Sequence, residues 1–398
     1  VRIVVALPYT PWPVASGTDR LAINLLEGLR ARHQVTLVTM TLSGPDLERL
    51  AQIERPGLFV RAILAPHRRG SAGRIWQKAR TTALELFEGV PAKVSYAAPP
   101  QLLRHIARTA AEAHADIVLA NYWHLYRLPA FVRGPRLALI THDLDFLVAP
   151  LRAKLQGVRP GRRARAAERI ELAAYRSYET ILTVTGADAE TLAAHPAAEG
   201  KRVIPLPLAM DLSTFAPPDK PRELDTVLVM GTFHSDFNLD ALRFFIDGIV
   251  PPLLEIRPDA RIVVVGQGVP GEIRASAPPA VVFTGGVADV TPYLRRCAAM
   301  ALPMRFCGGV RIRMMEAAAA GTPTVSTSIG VAGMGLEPGR DYLEADDPRR
   351  FAEALARILS DAGEARRLGE NARHWAEERL SMETYPDRLE RMIEKIMA

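Results

Sequence analysis

Cysteine is nearly absent from this 398-residue chain, which has only Cys297 and Cys307. That excludes a disulfide framework and a cysteine-rich zinc site, and a reducing compartment is the simple reading. Long apolar runs are missing as well. No stretch approaches the roughly 20 residues that a membrane-spanning helix needs. The opening VRIVVALPY is too short for a secretory signal and lacks its flanks, so it reads as a first buried strand. Strong charge imbalance is also lacking: the net charge is +6 and the pI about 9.5, which fits an anionic ligand or a membrane surface without demanding either. The basic run from Arg152 to Arg169 contains no aromatic residue, which argues against nucleic acid.

What the chain does have is alternation. RIVVALP reads as a strand and PYTPWPVASGT as a Pro/Gly-rich loop. DRLAINLLEGLRARH has Leu21, Leu25 and Leu29 at helical spacing, and QVTLVTM reads as a second strand. That order predicts a right-handed parallel βαβ unit. The habit continues through DIVLAN, LALITHD and ETILTVTG, then through DTVLVMGTF, ARIVVVGQG, AVVFTGG and MALPM, with helical stretches between. Continuous apolar strands belong to parallel sheets covered on both faces. PLPLAMDLSTFAPPDKPRELD, rich in Pro and Asp and without a period, reads as a linker. The expected division is a domain over 1–206, a linker over 207–222 and a second domain over 223–382. In open α/β sheets ligands lie beyond the C-terminal strand ends. The candidate loops are therefore 8–18, 142–146, 231–238, 266–268, 284–287 and 305–311.

The densest chemistry lies in RFCGGVRIRMMEAAAAG, residues 305–321. Gly308 and Gly309 permit close backbone approach, and the helix start that follows offers free N–H groups and partial positive charge, both favouring phosphate. Arg311 and Arg313 add full charge. Glu316, about a turn into the helix, suits ribose hydroxyls better than phosphate. The competing reading is a glycine turn before an amphipathic helix with solvated arginines. LALITHDLDF ends a strand with His142, Asp143 and Asp145. His142 can orient a sugar or move a proton near neutral pH, or it can simply cap the turn. Three such closely spaced ligands rarely face one point, so a metal is not expected.

GGVRIRMMEAAAAGTPTVSTSIGVAGM resembles the donor-binding signature of the GT-B glycosyltransferases of family 4, also called group 1. VRIVVALPYTPWPVASGTDRLAINLLEGLRARHQVTLVT is similar to that family's N-terminal unit, VIPLPLAMDLSTFAP to its interdomain stretch, and VLVMGTF, ARIVVVGQG and VVFTGGVADVTPYLRRC to its nucleotide-binding half. The resemblance covers nearly the whole chain. It implies an α/β fold with two Rossmann-like domains whose parallel sheets face each other across a cleft. It also implies that the last helix, about 383–398, packs back on the first domain.

The resemblance further implies a sugar transfer, with retention of configuration, from a UDP- or GDP-sugar to a glycan, lipid-linked or small-molecule acceptor. No separate cofactor and no metal are implied. His142 would line the sugar and Arg311 would stabilise the leaving diphosphate. Gly17, Gly231, His234, Gly266, Gly286, Val287, Gly308, Gly309, Val310, Arg313 and Glu316 would complete the donor site, with Ser16 and Thr18 flanking Gly17. Two departures stand out. The family usually carries two glutamates eight positions apart; Glu316 matches the second, and Gly308 stands where the first belongs. The family also often places Arg and Lys after the first strand of the second domain, where this chain reads GTFHSDFNLDAL. Arg311 and Arg313 are the available replacements.

Between residues 151 and 180 eight basic residues face three acids. This stretch is either a solvated charged helix or a contact for an anionic bilayer or a lipid-diphosphate acceptor. A cytoplasmic protein, peripheral at the inner membrane face, is the corresponding localisation. Two other functions remain open: a non-catalytic nucleotide-sugar-binding scaffold, which Gly308 keeps in play, and a nucleotide-sugar epimerase.

Overall fold

The protein is described by a computed structural model over residues 1–12, 17–68, 70–155, 157–159, 161–218 and 222–398. It divides into two compact units, Val1–Ala209 with Glu383–Ala398, and Met210–Met382. Of the stretch expected as a linker, residues 207–209 belong to the first unit, and 210–218 and 222 to the second.

The first unit is built on seven strands: β1 (Arg2–Ala6), β2 (Gln34–Thr41), β3 (Leu58–Leu64), β4 (Ile117–Asn121), β5 (Arg136–Thr141), β6 (Thr180–Thr183) and β7 (Arg202–Pro205). They lie in the order β3-β2-β1-β4-β5-β6-β7, all parallel. The central strands are apolar between their ends because helices cover both faces; Val4, Val118 and Leu139 are fully buried. The helix Gly17–Arg30 supplies the first crossover. The chain's last helix, Tyr385–Met397, packs on it at Gly28, where an added Cβ would stand 2.6 Å from Leu389 Cδ1.

The second unit repeats the plan with six strands: β8 (Glu223–Met230), β9 (Arg261–Val265), β10 (Val281–Gly285), β11 (Cys297–Leu302), β12 (Thr324–Ser326) and β13 (Leu343–Glu344). Their order is β10-β9-β8-β11-β12-β13, again parallel. The apolar stretch after β8 does not form one helix. It runs as an α-helix over Asp236–Arg243, a π-helical turn over Phe244–Ile249 and a last turn over Val250–Ile256, which holds Pro251 and Pro252. Both sheets have the strand order of a Rossmann-like fold, and each reverses direction once: between β1 and β4, and between β8 and β11. Crevices open at such reversals, beyond the C-terminal strand ends.

Candidate functional site

In the second unit the reversal brings together the loop after β8 and the loop after β11. The second loop leads into the helix Ile312–Ala319, and the first into Asp236–Arg243, so two helix N-termini stand at this edge. Arg313 joins them. Its Nη1 donates to Met230 O at 2.9 Å, and its Nη2 donates to Asn238 Oδ1. Asn238 in turn donates from Nδ2 to Thr232 O at 2.9 Å. Burial lowers the Arg313 pKa to about 10, which leaves the guanidinium charged at neutral pH. Glu316 lies one turn further along the same helix, half-buried and close enough for its charge to act on Arg313. Arg313 thus sets a cation from the neighbouring helix beside GTFHSDFNLDAL, a segment with no Arg or Lys of its own.

Arg311 behaves differently. It is buried, and it donates from Nε to Gly330 O at 2.9 Å, from Nη1 to Gly309 O and from Nη2 to Ala332 O. Three of the five N–H groups of this guanidinium are directed at main-chain carbonyls, a structural demand on the residue expected to grip a diphosphate. It ties the loop after β11 to the loop after β12. Gly309 takes φ +59°, a conformation that a side chain disfavours, and Gly308 and Val310 flank it half-buried. Arg305 is committed too, with Nε 2.9 Å from Asp240 Oδ2 and its guanidinium over Phe244.

The loops after β8 and β9 pack backbone to backbone. Gly266 has φ +141°, and a Cβ there would collide with Gly231 O. A Cβ on Gly268 would come within 2.8 Å of the His234 ring. The structure therefore brings Gly231, His234 and Gly266 together, and adds Gly268 and Asn238. Gly286 and Val287 follow the end of β10, which Gly266 N reaches by a 2.9 Å bond to Gly285 O.

In the first unit the reversal gathers polar and aromatic side chains. His142, after β5, has Nε2 2.6 Å from Asn121 Oδ1 at the end of β4. With Nε2 donating, Nδ1 is the acceptor of the neutral ring. Burial lowers the His142 pKa to about 4, so it is neutral at pH 7. Its ring packs on Tyr122 at a tilt of 32°, with 4.5 Å between centroids. Tyr122 takes φ +82°, a strained conformation for a bulky residue. Its hydroxyl lies 3.2 Å from that of Tyr9 and is hydrogen-bonded by Thr18 at the start of the helix after β1. Gly17 opens that helix; Ser16 lies outside the described residues.

Asp145 accepts from Trp123 Nε1 at 3.1 Å, so it and His142 turn to separate partners. Among the described residues no group of three His, Cys, Asp or Glu comes together to hold a metal. Sequence reasoning passed over Asn121, the last residue of an ordinary strand, and Tyr122 just after it; only their position at the β1/β4 reversal marks them. A hollow of about 260 Å³ lined by Arg2, Gln34 and Arg61 sits at the opposite, N-terminal edge of this sheet, away from these loops.

Two family models match the chain: Glycosyltransferase Family 4 over residues 15–212, and Glycosyl transferases group 1 over 225–361. The chain belongs to the family 4, group 1 glycosyltransferases. This glycosyltransferase shares its fold with solved structures of low sequence identity. Sucrose-phosphate synthase from Thermosynechococcus elongatus is 17% identical, with 99% of this chain and 98% of that one covered and a TM-score of 0.75. Anabaena Alr3699/HepE in complex with UDP is 15% identical, with 99% of each chain covered and a TM-score of 0.67. WaaG, a glycosyltransferase involved in lipopolysaccharide biosynthesis, is 18% identical, with 98% of this chain and 99% of that one covered and a TM-score of 0.65. No curated protein sequence matches the chain. The fold is thus the GT-B fold of two Rossmann-like domains, and the activity class is glycosyl transfer.

Proposed function

We propose that this glycosyltransferase takes its sugar from a nucleotide-diphosphate sugar bound on the second unit and transfers it with retention to an acceptor hydroxyl. One observation carries the reading: Arg313 is anchored at the end of β8 with Glu316 one turn on. A half-buried guanidinium and two helix N-termini suit a diphosphate, and the carboxylate suits the ribose hydroxyls. Alr3699/HepE, crystallised with UDP and with UDP-glucose, makes a UDP-sugar the first donor to try; a GDP-sugar is the second.

In the proposed step the bond from the anomeric carbon to the diphosphate oxygen breaks. The acceptor oxygen bonds to the same face, and the acceptor proton passes to the departing phosphate oxygen. Charge grows on the diphosphate as it leaves, so a fixed cation stabilises that state above the ground state. No metal is required, and activity should survive a chelator. Arg311 shapes the loop, and Gly308, Gly309 and Val310 offer main-chain N–H groups in place of the family's first glutamate. His142 lines the sugar, its Nδ1 accepting from a hydroxyl. The acceptor is a glycan, a lipid-linked glycan or a small molecule, met at the first unit in the cytoplasm.

Thermal unfolding with UDP, GDP, ADP and dTDP, on wild type and Glu316→Ala, is the test. A ligand at about 100 times its dissociation constant stabilises by ~2.7 kcal/mol. One nucleotide should raise Tm in the wild type and not in the variant. No shift with any nucleotide sinks the donor reading. A shift without turnover of the matching sugar donor favours the non-catalytic scaffold, which Gly308 supports.

A further inference from the structure

The helix Ser71–Ala83 continues into a π-helical turn over Leu84–Glu88 and carries its large apolar residues outward. Ile75 is 70% exposed, Trp76 45%, Leu86 74% and Phe87 86%. Leu86 and Phe87 each follow Ile75 and Trp76 by eleven residues, about three helical turns, so both pairs return to one face. The acids of the segment are paired within the same unit, the exposed Glu88 included. Glu85 accepts from Arg163 Nε at 3.0 Å, Glu88 is paired with Arg127, and Arg169 donates to Glu88 O. The turn is therefore clamped on the helix Arg162–Ser177 with its apolar side outward.

What remains around the stripe is positive. SAGRIWQKARTTA contains Arg74, Lys78 and Arg80 and no acid, and the start of the clamping helix adds an exposed Arg162. A second exposed stripe, Leu147, Leu151 and Leu155 at four-residue spacing, lies on the helix Asp145–Leu155, which packs against the same Arg162–Ser177 helix. Exposed apolar side chains ringed by cations match the two layers of an anionic bilayer surface: acyl boundary for the former, headgroups for the latter. A soluble protein partner would ask for pockets around such residues rather than bare, protruding ones.

We propose that this face of the first unit docks on an anionic lipid bilayer, with Leu86 and Phe87 inserted and Arg74 and Lys78 on the headgroups. The contact stands apart from the donor reading. If both hold, the acceptor is drawn from the membrane.

Co-sedimentation of the full chain with vesicles is the test. Vesicles of phosphatidylcholine alone are compared with vesicles that also contain phosphatidylglycerol. The wild type should partition onto the anionic vesicles and be released by high salt. Leu86→Ser/Phe87→Ser should lose at least roughly tenfold in partition, since each buried apolar side chain contributes about that much or more. Arg74→Glu/Lys78→Glu should lose a similar factor, at about fivefold per cation. Unchanged Tm of both variants shows that the fold is kept, and any nucleotide-induced shift reports on the donor site separately. Absence of wild-type binding overturns the proposal, and so does equal binding by the variants. Sedimentation velocity without lipid should show a monomer. A dimer abolished by Leu86→Ser/Phe87→Ser would reassign the face to a contact between copies of this chain and overturn the membrane proposal as well.

Discussion

Arg313 donates from Nη1 to Met230 O at 2.9 Å, so the last residue of β8 and a residue just inside the helix after β11 share one hydrogen bond. They stand 83 positions apart in the sequence. Their contact places a full positive charge where the strand order reverses, at a point from which the loop after β8 supplies none.

Removing that charge tests its purpose. Arg313→Met should weaken UDP, or whichever nucleoside diphosphate binds, by roughly 10- to 100-fold, as expected for ~1.5–3 kcal/mol from a lost hydrogen bond to a charged group. The free nucleoside should bind almost as before. Calorimetric titration of both ligands decides the matter, and equal losses for the two would show that Arg313 only shapes the fold.

Arg311 should behave as a structural tether. Arg311→Ala leaves Gly309 O, Gly330 O and Ala332 O without their donor. Unfolding in urea should show a loss of about 2–4 kcal/mol from unsatisfied buried carbonyls. Arg311→Lys should recover little, because an ammonium cannot reproduce a planar fork that reaches three acceptors. Full stability of the lysine variant would contradict this role.

A buried carboxyl makes the first unit sensitive to pH. Glu171 is fully buried, and Tyr175 donates to its Oε1 at 2.7 Å; Tyr175 is in turn 3.2 Å from Thr141 at the end of β5. Burial raises the Glu171 pKa from 4.5 to about 8. The folded protein keeps this proton where the unfolded chain has lost it. Its contribution to stability is therefore complete below about pH 4.5 and fades as the pH rises to about 8. The slope for one proton is at most ~1.4 kcal/mol per pH unit. Glu171→Gln should flatten this part of the stability curve, and denaturant titrations from pH 5 to 9 will show whether it does.

Gly266 should tolerate no side chain. Gly266→Ala places a Cβ against Gly231 O at an unfavourable φ, for a loss of about 1–3 kcal/mol. Because the two loops move together, nucleotide affinity should fall with stability. A variant as stable as the wild type would mean that the loops separate easily.

Much of this protein was legible in its sequence, for local reasons. RIVVA, IVLAN and RIVVV each hold four apolar residues in a row, as strands covered on both faces do. The fold class follows from those runs and from the order of the loops between them, and the family from the resemblance carried by GGVRIRMMEAAAAGTPTVSTSIGVAGM and the segments around it. The limits of this local reading are equally physical. Pro251 and Pro252 sit inside an apolar helical pattern, and the helix widens into a π-helical turn ahead of them. The exposed stripe of the helix Ser71–Ala83 cannot be told from a core stripe by spacing, since periodicity gives a face and not its partner.

The sequence by itself determined two runs of buried parallel strands, the glycines at their ends and a short list of charged residues beyond them. Tertiary structure alone decided what each charge does. Arg311 and Arg313 are two residues apart and were equivalent as symbols. Packing turned one guanidinium onto three carbonyls of its own neighbourhood and carried the other across to β8 and Asn238. The direction of a side chain at a helix start depends on which acceptors the neighbouring strands bring within reach, and those acceptors come from residues far away in the chain.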